Sequence, residues 1–204
     1  MPTLVIDTAT AACSVALLEG EAELATAHEL VGRGHAERLV PMIQEVMAAA
    51  GVARAGAILV DCGPGSFTGI RVGLAASRAL GLAWAVPVRG YSALAIIAAA
   101  GRQGETVAVA IAGGHGELFV QRFGFDPLAP LDTLRSLPPV AAAAAIADDH
   151  VLGSGAEALV AARGRGHASP RLPDAADARL LPPDLASLPP TPLYGRPPDA
   201  VPKR

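Results

Sequence analysis

Lysine is almost missing from this chain: Lys203 is the only one in 204 residues. With 16 basic side chains against 19 acidic ones the formal net charge is −3. No broad cationic surface is therefore available for a phosphate backbone, and nucleic acid is expected to be met only through a partner. Cysteine is scarce too. Cys13 and Cys62 lack the spacing of a metal or redox motif and read as small core residues of a reducing compartment. Aromatic residues make up 3%, so the core must be built from aliphatic and alanine side chains. No apolar run of about 18 residues is free of charge, which excludes a membrane-spanning helix. The opening Met1-Pro2-Thr3-Leu4-Val5-Ile6-Asp7 has no basic segment and reaches a carboxylate early, unlike a secretory signal, so a cytoplasmic protein with no membrane contact is expected.

What is present is 51% hydrophobic residues with 22 Gly and 18 Pro, the composition of a globular protein rich in small side chains and long enough for one large domain or two small ones. The pattern divides near residue 101, into 1–100 and 101–204. Thr3–Asp7 and Ser14–Leu18 read as a hairpin, with a third strand over Glu21–Glu29. From His35 to Ala50 the residues Leu39, Ile43, Val46 and Ala50 recur at helical spacing, giving an amphipathic helix kinked or restarted at Pro41. A strand over Ala57–Cys62, a glycine loop over Gly63–Gly69, a helix over Ile70–Ala83 and a strand over Val86–Arg89 form a β-loop-α-β unit and hence some parallel sheet. A helix over Ser92–Ala100 closes this half. The second half opens with strands Thr106–Ala112 and Glu117–Phe125 around the turn Gly113-Gly114-His115-Gly116. Helices over Val140–Ala147 and Ala156–Arg163 then flank a strand at His150–Leu152. Ten of the 18 prolines lie between Pro170 and Pro202, so the tail is extended or irregular.

The residues able to do chemistry are few. The histidines His28, His35, His115, His150 and His167 include no pair at the i, i+4 spacing of a zinc protease. Ser66 follows a strand and precedes a helix, as a hydrolase nucleophile does, but Pro64 and Thr68 stand where that elbow needs glycines. The loop Gly63-Pro64-Gly65-Ser66-Phe67-Thr68-Gly69 offers free backbone at a helix N-terminus, the requirement for an anion site, without the phosphate-binding lysine. Gly63 and Gly65 are its cofactor candidates. Gly153-Ser154-Gly155-Ala156-Glu157-Ala158 fits a dinucleotide fingerprint formally but opens no βαβ unit. Asp7, at the end of the first strand, could face a nucleotide and its magnesium; it could equally cap a turn, as could Asp61. No second carboxylate converges on either in sequence.

The helix after the glycine loop carries Gly69, Gly73, Ser77 and Gly81 at every fourth position, a ridge almost without side chains. Glycine inside a helix costs about 1 kcal/mol relative to alanine, so its repetition calls for a close neighbour, either this chain's own sheet or a partner's helix. The stripe Leu39, Ile43, Val46 and Met47 on the earlier helix faces the same choice.

Three segments carry a resemblance: Ile6-Asp7-Thr8-Ala9-Thr10, His35-Ala36-Glu37-Arg38-Leu39-Val40-Pro41, and above all Gly63-Pro64-Gly65-Ser66-Phe67-Thr68-Gly69-Ile70-Arg71-Val72-Gly73. They are similar to the TsaB family, also called YeaZ, and Pro192-Leu193-Tyr194-Gly195-Arg196-Pro197-Pro198 resembles that family's C-terminal signature. The resemblance implies an α/β protein of the actin-like/Hsp70-like ATPase fold (ASKHA), with two ribonuclease-H-like halves and mixed sheets. It also implies a role in forming N6-threonylcarbamoyladenosine at position 37 of tRNAs that read codons beginning with A. In that family the catalyst is the paralogue TsaD. The TsaB-like chain is then its non-catalytic partner, a heterodimer that recruits the ATPase TsaE and meets tRNA only within the complex. A homodimer forms where TsaD is missing, and no cofactor is the chain's own, with ATP or ADP at the shared interface.

By the same resemblance, the helices near 36–50 and 69–82 bind TsaD, through His35, Leu39, Ile43, Val46, Met47, Gly69, Gly73, Ser77 and Gly81. Replacing Gly73 by leucine or Val46 by aspartate is then expected to break the complex and leave the fold intact. TsaD carries a His-Met-Glu-Gly-His metal site after a Pro-Val-His sequence. Here Pro87-Val88-Arg89-Gly90-Tyr91-Ser92-Ala93-Leu94 puts Gly90 and Leu94 at the ligand positions, and neither side chain binds a metal. The chain departs from the family at Ala112-Gly113-Gly114-His115-Gly116-Glu117-Leu118-Phe119, where an acidic and an arginine position are lost. The competing reading is an enzyme acting alone, a nucleotide-binding hydrolase built on Asp7 and the glycine loops or a peptidase of the M22 type.

Overall fold

The computed structural model describes residues 1–102 and 104–195; Arg196-Pro197-Pro198 and Pro202 lie outside them. The first half pairs β1 (Thr3–Asp7), β2 (Ala12–Glu19) and β3 (Ala22–Leu30) as an antiparallel meander. β4 (Ala57–Asp61) and β5 (Val88–Tyr91) are added parallel to β1, for the order β3-β2-β1-β4-β5. Helices α1 (His35–Ala49) and α2 (Phe67–Trp84) lie on one face of this sheet and α3 (Ala93–Ala100) on the other.

The second half repeats the plan. Its strands are β6 (Thr106–Ala112), β7 (Leu118–Gly124), β8 (Ala129–Pro130), β9 (Arg135–Leu137), β10 (His150–Leu152) and β11 (His167–Ser169), with helices α4 (Pro139–Ala145) and α5 (Ala156–Arg163). The order is β11-β10-β6-β7-β8, with β9 also on β7, and β10 and β11 run parallel to β6. Each half is thus an antiparallel pair or meander extended by two parallel strands. This is the mixed α/β, two-sheet architecture of the actin-like/Hsp70-like class.

Strand alternation divides the core into three layers. Leu4, Ile6, Ile58 and Val60 point to α1 and α2. Val5, Ala16 and Leu59 point the other way and join Ile96, Val107, Val109, Ile111 and Phe123 in a layer shared by both sheets. Ala108, Ala110 and Val120 face α4 and α5.

Three features differ from the sequence pattern. Helix α1 does not restart at Pro41 but is one helix through it, with Pro41 and Glu37 both on its exposed side. Helix α2 begins at Phe67, three residues earlier than the apolar period indicates, because the Ser66 hydroxyl caps it by accepting from Gly69 N at 3.2 Å. The tail does not stay with the second half. Residues Ala175–Leu180 form a 3₁₀ turn against α3 and the first sheet, and Leu188 pairs with Gly90 at the edge of β5. β8, β9 and β11, two or three residues long, were not read from the sequence.

Candidate functional site

Parallel pairing of β1 with β4 and of β4 with β5 brings three polar side chains to one buried point: Asp7, Asp61 and Tyr91, each 0% exposed. The Tyr91 hydroxyl donates to Asp7 Oδ2 at 2.9 Å and Ala9 N to Oδ1 at 3.3 Å. Gly63 N donates to Asp61 Oδ1 at 2.7 Å. As a carboxylate, Asp61 Oδ2 would have no donor to accept from; as a carboxylic acid it has Asp7 to donate to. Burial raises Asp7 to about 6, against the lowering effect of the Tyr91 and Asp61 hydrogen bonds. Burial and the Asp7 charge push Asp61 well above the usual carboxylate range. Both carboxyls are thus pushed towards the protonated form and titrate together. The second carboxylate absent from Asp7's sequence neighbourhood is supplied by topology, and with Tyr91 it seals Asp7 from solvent.

Because the folded-state pKa values are raised, the fold binds more protons here than the unfolded chain. The stabilisation is complete below pH 3.8 and is lost as the pH rises through about 6. Asp61→Asn, which keeps a donor towards Asp7 without the charge, is expected to melt higher than the parent at pH 8 and by a smaller margin at pH 5. Thermal melts at both values check this, and an equal margin at the two values counts against it.

The glycine loop is filled from within. A Cβ on Gly65 would stand 2.0 Å from the Ala9 carbonyl oxygen, and Ser66 N already donates to that oxygen at 2.6 Å. A Cβ on Gly63 would meet Ile70 Cδ1 at 2.6 Å. These glycines let the loop press on the β1–β2 turn. Ser66 spends its hydroxyl on the helix cap.

The Gly69, Gly73, Ser77 and Gly81 ridge is likewise closed by this chain's own sheet. A Cβ on Gly69 would meet the Thr8 carbonyl oxygen at 2.0 Å, one on Gly73 would meet Thr8 Oγ1 at 2.5 Å, and one on Gly81 would meet Val88 Cγ2 at 2.4 Å. The Thr8 hydroxyl donates to Gly69 O at 2.7 Å, and Ser77 is wholly buried. Leu39, Ile43, Val46 and Met47 are buried in the same core layer, and His35 is held by the Ala12 carbonyl at 3.2 Å. Leu39, Val46 and the ridge are therefore core rather than contact surface, while Ile43 and Met47 are core residues that also border a groove between the two helices. Gly73→Leu and Val46→Asp would damage the fold, contrary to the expectation drawn from the ridge and stripe alone, because both faces are consumed by the sheet beneath them.

The outer sides of the same helices leave something else. Val40, Ile43, Gln44 and Met47 of α1 and Ala76, Ala79, Leu80 and Trp84 of α2 line an apolar groove of about 400 Å³, with Val40 52% exposed. The stripe reading reached Ile43 and Met47 at its edge but missed Val40, Gln44 and the α2 residues, because it followed the spacing that points inward. The usable signal was surplus apolar residues off that spacing, Val40 next to Leu39 and the single tryptophan.

Between the two halves lies a second cleft of about 390 Å³, lined by Ala9–Ala11, Gly65, Ser66, Ala112–Gly114 and Ser154, none of them charged. Gly153 and Gly155 of the dinucleotide-like segment pack against β6, with Gly155 N donating to Ala110 O at 2.9 Å and Ser154 Oγ accepting from Ala112 N at 3.1 Å. In the divergent 112–119 stretch, Glu117 accepts from Ser136 Oγ at 2.6 Å while Leu118 and Phe119 enter the core. Among the described residues no three His, Cys, Asp or Glu side chains gather as a metal site, and no helix is long and apolar enough to cross a membrane. Both cysteines are buried free thiols, with burial pushing Cys13 up to about 11 and Cys62 up to about 12.

Fold and site together describe an actin-like chain whose strand-end aspartate is sealed and whose helical flank is open. That fold is shared with the activator of 2-hydroxyisocaproyl-CoA dehydratase from Clostridium difficile, at a TM-score of 0.51 and 11% identity over 91% of this chain and 93% of that one. Residues 26–126 match the family described as TsaD, tRNA N6-adenosine threonylcarbamoyltransferase. The tRNA threonylcarbamoyladenosine biosynthesis protein TsaB of Escherichia coli is 39% identical over 100 residues, and that of Haemophilus influenzae 40% over 123. These alignments cover 48% and 57% of this chain, and they span only 43% and 51% of those relatives. The structure of YeaZ from Pseudomonas aeruginosa matches over 88% of this chain and 89% of that one, with 31% identity and a TM-score of 0.76. The chain belongs to the TsaB/YeaZ family.

Proposed function

We infer that this chain is the non-catalytic partner subunit of a TsaD-type enzyme that makes N6-threonylcarbamoyladenosine on tRNAs reading codons beginning with A. The observation that carries this reading is the outward apolar groove between α1 and α2, beside an Asp7 closed off by Tyr91 and Asp61. A groove of this kind suits a helical partner. TsaD docks there, the assembled pair recruits TsaE in the cytoplasm, and a second copy of this chain takes the groove when TsaD is missing. The groups a lone enzyme would need are committed elsewhere: Ser66 to a helix cap, Asp7 to the buried pair. The cleft between the halves offers a nucleotide only backbone and hydroxyl groups, so ATP or ADP belongs to the joint interface.

Light scattering of the chain alone and mixed with its own organism's TsaD is expected to show a mixed complex replacing monomer or homodimer. No complex, together with ATP turnover by the isolated chain that Asp7→Ala abolishes, would instead favour the hydrolase reading.

A further inference from the structure

The acidic net charge hides a segment of opposite sign. From Cys62 to Gly104 the sequence contains no aspartate or glutamate and four arginines, Arg71, Arg78, Arg89 and Arg102. Arg102 is paired with Asp126. Arg71, Arg78 and Arg89 are exposed, and among the described residues no carboxylate pairs with any of them.

Two of the three are held in place. The Arg71 guanidinium lies 3.6 Å over the Phe67 ring, and its Nε donates to the Tyr194 hydroxyl at 3.0 Å. Arg78 Nη2 donates to Pro190 O at 2.7 Å. The Phe67 and Tyr194 rings stack at 5.4 Å, and both remain exposed, at 54% and 44%. Phe67, Arg71 and Arg78 share one side of α2, since steps of four and seven residues advance about 40° and 20° around a helix. Ala76, Leu80 and Trp84, which line the apolar groove, fall on another side of α2. The two surfaces can therefore be occupied together.

We propose that this face, made of Arg71 and Arg78 with the Phe67–Tyr194 stack, binds an RNA strand; Arg89, level with Leu59 on β4, points to the other side of the sheet and is not part of it. The arginines take phosphates and an unpaired base stacks on the aromatic pair. Unpaired cations held beside exposed rings are what sequence-tolerant single-strand binding requires. An acidic protein segment would use the arginines but has no use for the stack. This rests on the proposed function, under which tRNA is the substrate, and goes beyond it in giving this chain its own RNA contact.

The test is fluorescence anisotropy of a labelled single-stranded RNA and of a tRNA anticodon stem-loop, titrated with the chain alone. At about 0.7 counterions released per phosphate, two arginines give a slope of log K against log salt of about −1.4, a loss of about 7-fold between about 50 and about 200 mM salt. Arg71→Gln/Arg78→Gln is expected to flatten this dependence. Arg78→Gln, which spares the stack, should remove about half of it, and Arg89→Gln, on the other side of the sheet, leaves it unchanged. Phe67→Ala is expected to weaken binding several-fold at unchanged slope, while Arg33→Gln/Arg54→Gln, at exposed positions flanking α1, changes nothing. Melting curves establish that each variant is folded. Absent binding, or an undiminished slope in the Arg71→Gln/Arg78→Gln variant, overturns the proposal. So does an oligoglutamate peptide that competes equally while Phe67→Ala has no effect, which would give the face to an acidic protein. Mixing with TsaD reads the proposed function separately: failure to associate would sink that reading, while the RNA titration would still decide this one.

Discussion

Gly69→Ala is expected to lose about 3 kcal/mol or more of stability, although alanine is the better helix former. The added Cβ would sit 2.0 Å from the Thr8 carbonyl oxygen, a backbone atom fixed by β1 that cannot move aside as a side chain can. For a chain of this length the loss corresponds to a melting temperature lower by roughly 6–12 °C. Against a total of about 5–15 kcal/mol, Gly73→Leu is expected to leave little folded protein, since a whole side chain would be driven between α2 and the sheet. Circular dichroism melts decide the matter. A Gly69→Ala variant that melts with the parent would mean that α2 stands off the sheet, and the ridge would again be open to a partner.

Val40→Asp/Ala79→Glu is expected to have the opposite profile: an unchanged melt and an association with TsaD weakened by at least about 100-fold, close to 3 kcal/mol. Both residues are exposed in the free chain and line the apolar groove. Their replacement costs the monomer little, yet in a complex it would bury two carboxylates without partners. The same variant should run as a monomer where the parent forms a dimer. Undiminished co-purification with TsaD would remove the groove from the interface. Glycine variants that fail through folding and groove variants that fail through binding thus separate two roles that lie on neighbouring sides of the same helices.

Much of the fold was legible because periodicity is local. Thr3–Asp7, Ala156–Arg163 and the β-loop-α-β unit follow from short-range alternation and glycine punctuation. The Gly63–Gly73 motif located the family. What sequence could not supply was direction. A ridge of small residues demands a close neighbour but does not say whether it is a partner's helix or the chain's own β1, and the distance from Gly69 to Thr8 O settles that for the strand.

Asp7 and Asp61, 54 positions apart, became a buried carboxyl pair only because β1 and β4 lie parallel and end level, with Tyr91 of β5 beside them. Arg71 likewise became a held cation through Tyr194, which the returning tail delivers. Composition and spacing determined an α/β chain with some parallel sheet, the helices and the absence of zinc-protease spacing, and the motif resemblance supplied the actin-like class. The tertiary structure decided which side of each helix is spent on the core, which aspartates are buried together, and which arginines remain unpaired, because each depends on contacts between segments far apart in sequence.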